Sequence, residues 1–200
     1  MTAMNDTIIN IGRQFGSGGR RVAAALGSRL GIPVYNSDFA AKQMYFLPEV
    51  REKLVQRFGD GFYLSENELN RKYIADLIFH DEMAQRDLEG ILYPALFVDF
   101  SAWTEQQDAP YVLFESAVVF EKHIETRFDA VVMVTASETT RLRRAMERDR
   151  CDEVTVRARM AKQWPDATKC FLADFVIRHE NDDEDEALME QIMHLHTRWS

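Results

Sequence analysis

The chain is poor in cysteine: of its 200 residues only Cys151 and Cys170 carry a thiol, and they lack the spacing of a metal site or a disulfide framework. A disulfide-stapled secreted scaffold is thereby excluded, and a reducing cytoplasm fits. No apolar run approaches the ~18–20 residues of a membrane span, and nothing at the N-terminus reads as a signal peptide. Positive charge is also in deficit. A formal net charge of −9 argues against general binding to nucleic acid or to a membrane surface, because both partners are polyanions. Internal repeats and low-complexity linkers are absent as well. With 46% hydrophobic residues the chain can bury one full core, so a single domain is expected, monomeric or weakly oligomeric, in which any anionic ligand is met locally.

What is present is organised around residues 7–22, TIINIGRQFGSGGRRV. A short apolar strand leads into Gly16, Ser17, Gly18 and Gly19, and a helix then begins with Arg20 and Arg21. Such a strand, turn and helix start aims several backbone N–H groups into one concavity, which binds phosphate. Measured against the pattern G-x-x-x-x-G-K-[ST], the loop is short of two groups. With Gly18 as the second glycine, the first falls on Arg13, the lysine on Gly19 and the hydroxyl residue on Arg20. The backbone cradle is kept while the ammonium and the Mg²⁺-binding hydroxyl are missing, with Arg20 or Arg21 as candidate cations. The alternative is a glycine-rich turn that binds nothing.

The spacing predicts a first helix over 22–30 ending at Gly31, a strand at 32–35 and a helix over 39–46, a β-α-β start that points to a parallel sheet. Asp38 then sits at a strand's carboxyl end, either as a helix N-cap or as a carboxylate that orients an acceptor hydroxyl. Helices are expected over 48–58, 67–79 and 81–105, the last kinked at Pro94. The apolar run 111–114 reads as a buried strand ending in Glu115, where a carboxylate holds Mg²⁺ or its waters; Glu121 is either a surface acid or functional. Residues 129–135 form the clearest strand, followed by a helix capped by Ser137. On that helix Arg141, Arg144 and Arg148 share a face. Seven of the 18 arginines lie between residues 141 and 159 against four carboxylates, which favours an anion-facing stripe. A helix over 152–163 carries Arg157 and Arg159, and with its neighbour forms a lid hinged at Arg150 and Cys151. The run 171–177 contains the last strand, and a helix from about 184 closes the chain. The acidic run 182–186 reads as a solvated helix start.

The loop resembles that of the cytidylate-kinase-like P-loop proteins over about the first 35 residues. From about Gly31 onward the chain resembles the dephospho-CoA kinase family. The segments that carry this are IPVYNSD (32–38), NRKYIA (70–75), LYP (92–94), ESAVVFE (115–121), RAMERD (144–149), VRARMAKQWP (156–165) and ADFVI (173–177). The resemblance implies a three-layer α/β/α P-loop kinase of the nucleoside-monophosphate-kinase type with a parallel sheet. Its core would cover about 1–47, 108–148 and 165–200, a helical substrate-binding region 48–107 and a lid 149–164. It implies transfer of the ATP γ-phosphate to the ribose 3′-hydroxyl of dephospho-CoA, with Mg²⁺. By position, Asp38 matches the acid at the acceptor hydroxyl, Arg144 and Arg148 match phosphate-contacting arginines, and Gln163 matches a lid glutamine. Phe15 and residues 16–21 would hold ATP, Arg157 and Arg159 would serve the lid, and Glu115 would hold Mg²⁺. The departures from the family are the loop itself, where GxGSGKS is replaced by QFGSGGR (14–20), and Arg150, Cys151 and Asp152 in place of Gly-x-Thr. Two rivals stay open: a nucleoside-monophosphate kinase acting on CMP, and a nucleotide-binding module without turnover.

Overall fold

The computed structural model describes residues 7–180 and 186–200. The chain begins with β1 (Ile8–Arg13), α1 (Gly19–Leu30) and β2 (Val34–Asn36), then passes into helices α2 (Ser37–Met44) and α3 (Pro48–Phe58). A hairpin of β3 (Tyr63–Ser65) and β4 (Glu68–Leu69) follows, with α4 (Arg71–His80) and α5 (Glu82–Thr104) after it. The chain returns through β5 (Val112–Ser116), β6 (Ala130–Thr135), α6 (Glu138–Asp149), α7 (Glu153–Met160), α8 (Asp166–Leu172), β7 (Phe175–Arg178) and α9 (Glu186–Trp199). It divides into two compact units, one holding the residues up to Asn36 and from Gln107 onward, the other Ser37–Gln106.

In the first unit five parallel strands lie in the order β2-β5-β1-β6-β7. The centre of this sheet is apolar because both faces are covered: every residue of β5 and β6 is buried, as parallel strands between helices require. One side of β1 leads through α1 to β2, while β5 crosses back to β6 on the other side. The carboxyl end of β1 is therefore the switch point at which such sheets bind ligands. In the core of this unit Ile9, Ile11, Val22, Leu26, Leu113, Val132 and Ile177 pack with Leu188, Ile192 and Leu195 of α9. Helix α1 ends as its sequence predicts, with Gly31 left-handed at φ 69° and its N–H on the Gly27 carbonyl at 3.1 Å.

The second unit has its own core of Val50, Leu54, Phe58, Phe62, Ala84 and Leu88. Asn70 and Asp81 cap α4 and α5 by accepting from Tyr73 N–H and from Met83 and Ala84 N–H. Several expectations are corrected. Residues 67–79 are not one helix, since β4 takes the first part and Asn70 caps the rest. The run 171–177 is split between the end of α8 and β7. Ser37 already belongs to α2, so Asp38 lies in its first turn rather than at its cap. Of the acidic run 182–186, the first four residues lie outside the described residues.

Candidate active site

The phosphate loop leaves β1 and reaches α1 through two left-handed glycines, Gly16 at φ 81° and Gly18 at φ 83°. Space demands glycine here as much as φ does. A Cβ on Gly16 would stand 2.3 Å from the Arg141 carbonyl oxygen, one on Gly18 2.4 Å from His179 Nδ1, and one on Gly19 2.6 Å from Arg13 Cβ. Helix α1 has no side-chain cap at its N-terminus and no acidic residue in its first turn. Among the described residues no hydrogen bond takes the amides of Gly16, Gly18 or Gly19. Its positive end is thus open to an anion.

Four neighbours hold the loop in this shape. Phe15 N–H donates to Gln163 Oε1 at 2.7 Å, and Gln14 Nε2 donates to the Trp164 carbonyl at 2.9 Å. On the other side Arg144 Nη1 donates to the carbonyls of His179, at 2.7 Å, and Ser17, at 3.3 Å. His179, buried behind the loop, brings its Nδ1 to 3.2 Å from the same Ser17 oxygen. A cavity of about 570 Å³ opens here, walled by Gly16, Gly18, Arg20, Arg21, Arg144 and Arg148, with His179 beneath and Glu147 at its edge.

The arginines of the anticipated stripe divide. Arg144 and Arg148 reach the cavity, and Arg148 also lies over the Phe15 ring, 5.0 Å from its centroid. Arg141 does not belong with them: it is buried, with Nε on the Ala136 carbonyl at 3.1 Å. Arg148 is paired with Asp149 at 2.7 and 3.0 Å, and that bond raises the pKa of the arginine and holds the carboxyl of Asp149 below its ordinary value. In the expected lid, Arg157 bonds Glu153 at 2.7 Å and Glu138 at 2.5 Å, and Arg159 bonds Asp149 at 2.8 Å. Those two guanidiniums are spent on carboxylates. Gln163, by contrast, grips the loop at Phe15 and donates its Nε2 to the Ala117 carbonyl at 3.1 Å.

Glu115 sits at the tip of β5 as its sequence predicts, buried at 1% exposure. Its Oε1 accepts from Arg13 Nε and its Oε2 from Asn36 Nδ2 at 3.0 Å, with Arg20 Nε at 3.8 Å. Asn36 stands in register with it on β2. Two guanidiniums beside one carboxylate repel a divalent cation, and position 20 offers no hydroxyl, so the residues present do not fit direct protein ligation of Mg²⁺. Glu115 is an anchor for cations. Glu121 is no surface acid either: its Oε1 accepts from the buried Lys169 ammonium at 2.7 Å and from Trp164 N–H at 3.1 Å. Burial pushes the Lys169 pKa down, opposed by that hydrogen bond. Asp38 lies in the second unit, in the first turn of α2.

Comparison with known proteins decides the family. The dephospho-CoA kinase family profile matches residues 7–194, loop included. The chain belongs to the dephospho-CoA kinase family. Among curated relatives, the dephospho-CoA kinase of Syntrophotalea carbinolica is 33% identical over 186 residues, covering 90% of this chain and 86% of its own. That of Bradyrhizobium diazoefficiens is 33% identical over 165 residues, 80% of each. Among solved structures, TT1252 from Thermus thermophilus has a TM-score of 0.84 at 28% identity, covering 97% of this kinase and 98% of its own chain. The dephospho-CoA kinase from Campylobacter jejuni, at 17% identity and a TM-score of 0.65, covers 96% of each chain and attests the fold. The α/β P-loop kinase fold and a phosphotransferase with a hydroxyl acceptor and ATP as donor follow from this membership.

Arg13, Gln14, Lys169 and His179 are parts of the site that the sequence reading missed. Arg13 carried a signal, since it occupies the first glycine of the phosphate-loop pattern. The other three carried none, because their roles depend on contacts to residues 48 to 162 positions away.

Proposed function

We propose that this kinase transfers the γ-phosphate of ATP to the ribose 3′-hydroxyl of dephospho-CoA, giving CoA. The family match over residues 7–194 supports this, and the observation that carries the site is the cavity whose wall joins the loop glycines to Arg20, Arg21, Arg144 and Arg148. Catalysis by such a site rests on positioning and charge neutralisation with little covalent help. The triphosphate lies on the amides of Gly16, Gly18 and Gly19, while the Ser17 amide, expected to join them, is held by the Gln14 carbonyl at 3.0 Å; Phe15 supports the loop, and Arg20 and Arg21 flank it. Arg144 and Arg148 neutralise charge that spreads over the transferring group. Asp38 orients the acceptor hydroxyl, a role taken from its match to the family segment 32–38. Mg²⁺ enters bound to the nucleotide, since Glu115 is taken by Arg13 and Asn36 and position 20 carries no hydroxyl.

Among the described residues no helix is long and apolar enough to cross a membrane, and a cytoplasmic location belongs to the same proposal. The second reading is favoured by one observation, the GRQFGSGGR loop, which resembles cytidylate-kinase-like proteins. ADP release measured with dephospho-CoA, CMP, dCMP and UMP separates the readings. Saturable turnover with dephospho-CoA alone is expected. Preference for CMP or dCMP supports the rival, and ATP binding without turnover on any acceptor rejects an active kinase.

A further inference from the structure

We infer that Lys169 is a positioning residue for nucleotide binding: with Glu121 it fixes Gln163 and Trp164, and through them Gln14 and Phe15, the two residues that open the phosphate loop. The inference deepens the proposed function and rests on it for the identity of the ligand. Lys169 lies in α8, and its side chain is 1% exposed. It is not among the residues that wall the nucleotide cavity, so it acts on the nucleotide only through other residues. An ammonium so far from water is unfavourable unless it is paired and hydrogen-bonded, and the groups that satisfy it lead to the loop.

The contacts form three tiers. Lys169 Nζ donates to Glu121 Oε1 at 2.7 Å and to the Ala117 carbonyl at 3.1 Å. The same two oxygens hold the segment between α7 and α8: Glu121 Oε1 also accepts from Trp164 N–H at 3.1 Å, and the Ala117 carbonyl from Gln163 Nε2 at 3.1 Å. Gln163 and Trp164 in turn hold the loop. Gln163 Oε1 accepts from Phe15 N–H at 2.7 Å, and the Trp164 carbonyl from Gln14 Nε2 at 2.9 Å. Both oxygens bonded by Lys169 are thus shared with the segment, so a shift of the ammonium moves the atoms that place Gln163 and Trp164. The other carboxylate oxygen of Glu121 is buried and accepts no hydrogen bond among the described residues, which leaves Oε1 to make both bonds. Gln14 and Phe15 lead directly into Gly16, which lines the cavity, so their placement sets where the loop amides point. A buried ion pair adds little net stability over well-packed apolar side chains of similar volume. What it adds here is direction, and a binding site needs its groups held to within about 0.5 Å.

The experiment compares the wild type with Gln163→Ala and with the neutral pair Lys169→Met/Glu121→Gln, which leaves no bare buried charge and keeps an acceptor for Trp164 N–H. Two quantities are read: affinity for Mg-ATP by calorimetry, and hydrogen exchange of the Phe15 amide by nuclear magnetic resonance in nucleotide-free protein, referenced to the amides of β6. The neutral pair is expected to bind Mg-ATP about tenfold more weakly, ~1.4 kcal/mol. Exchange at Phe15 should quicken about tenfold while β6 keeps its protection, as in local opening. Gln163→Ala, which cuts the last link, is expected to act in the same direction, and adding it to the neutral pair to weaken binding little further, because both act on one contact. In turnover the KM for ATP should rise while kcat moves little. Wild-type affinity in the neutral pair overturns the inference, and so does exchange that quickens equally at Phe15 and along β6, the mark of a merely structural role. Should the neutral pair not fold, Glu121→Gln alone keeps the shape and weakens the hold on the ammonium: a smaller loss in the same two quantities supports the inference, and wild-type values overturn it. The proposed function fails separately, if the wild type turns over none of the acceptors; Mg-ATP affinity and Phe15 exchange then still decide the role of Lys169, and a wild type that binds no Mg-ATP overturns both.

Discussion

Two groups of arginine, on α6 and on α7, look alike in sequence and are used in opposite ways. Arg144 spends its donors on the carbonyls of Ser17 and His179. Through those carbonyls Arg144 fixes the loop at the cavity wall, and its charge is also felt by the Glu180 carboxylate. Arg157 and Arg159 spend theirs on Glu153, Glu138 and Asp149, and the charge is cancelled. Arg148 stands between the two cases, half neutralised by Asp149 and stacked on Phe15. What distinguishes the two groups is where they reach: Arg144 bonds the loop carbonyl of Ser17 at the cavity, while Arg157 and Arg159 bond carboxylates of their own and the neighbouring helix.

Removing the carbonyl-held cation is the most damaging way to test this difference. Arg144→Met is expected to lower kcat/KM for ATP by ~10²–10³, the typical loss for one preorganised charged contact; steady-state kinetics at varied ATP check it. Next comes the loop that Arg144 braces. Gly16→Ala forces a side chain into a left-handed residue and against the Arg141 carbonyl, and is expected to cost ~1–3 kcal/mol of stability together with ATP affinity. Thermal melts with and without Mg-ATP separate the two losses.

A smaller effect is expected from Asp149→Asn, which releases Arg148 and Arg159. Surface pairs are worth at most about 1 kcal/mol, and the freed Arg148 should bind nucleotide somewhat more tightly. The pH dependence has a definite sign. Because the hydrogen bond from Arg148 depresses the Asp149 pKa, the stabilisation is present above the ordinary carboxylate value of ~3.9 and is lost as pH falls through the lower folded value. Melting temperatures of wild type and variant should converge on acidification through that window. Smallest of all, Arg157→Met should change kcat/KM by less than about threefold, as a surface substitution does. A large loss there would erase the contrast between the helices.

The sheet was legible because parallel strands are apolar runs of the right length: 111–114 and 129–135 correspond to β5 and β6 with an end residue or two of error. The glycine loop was legible because its constraint is local, in φ and in the absence of side chains. Helix α8 was not. The run FLADFVI crosses a helix end, a turn and a strand, and Phe171 at its start is 87% exposed. The β3/β4 hairpin has strands of three and two residues, too short for periodicity to register. At the site, counting arginines against carboxylates between 141 and 159 gave a local excess but not its distribution. Glu138, outside that window, reaches across 19 residues to Arg157, and Ser17 lies 127 residues from Arg144. Such partners are set by the fold, and one sequence does not display them.

Calorimetric titration of Mg-ATP into folded wild type, Arg144→Met and Arg157→Met tests the account most directly. Saturable heat is predicted for wild type and Arg157→Met at similar affinity, with a loss of about tenfold or more, ~1.4 kcal/mol, for Arg144→Met. No saturable heat from the wild type at millimolar nucleotide, or equal losses in both variants, would contradict it.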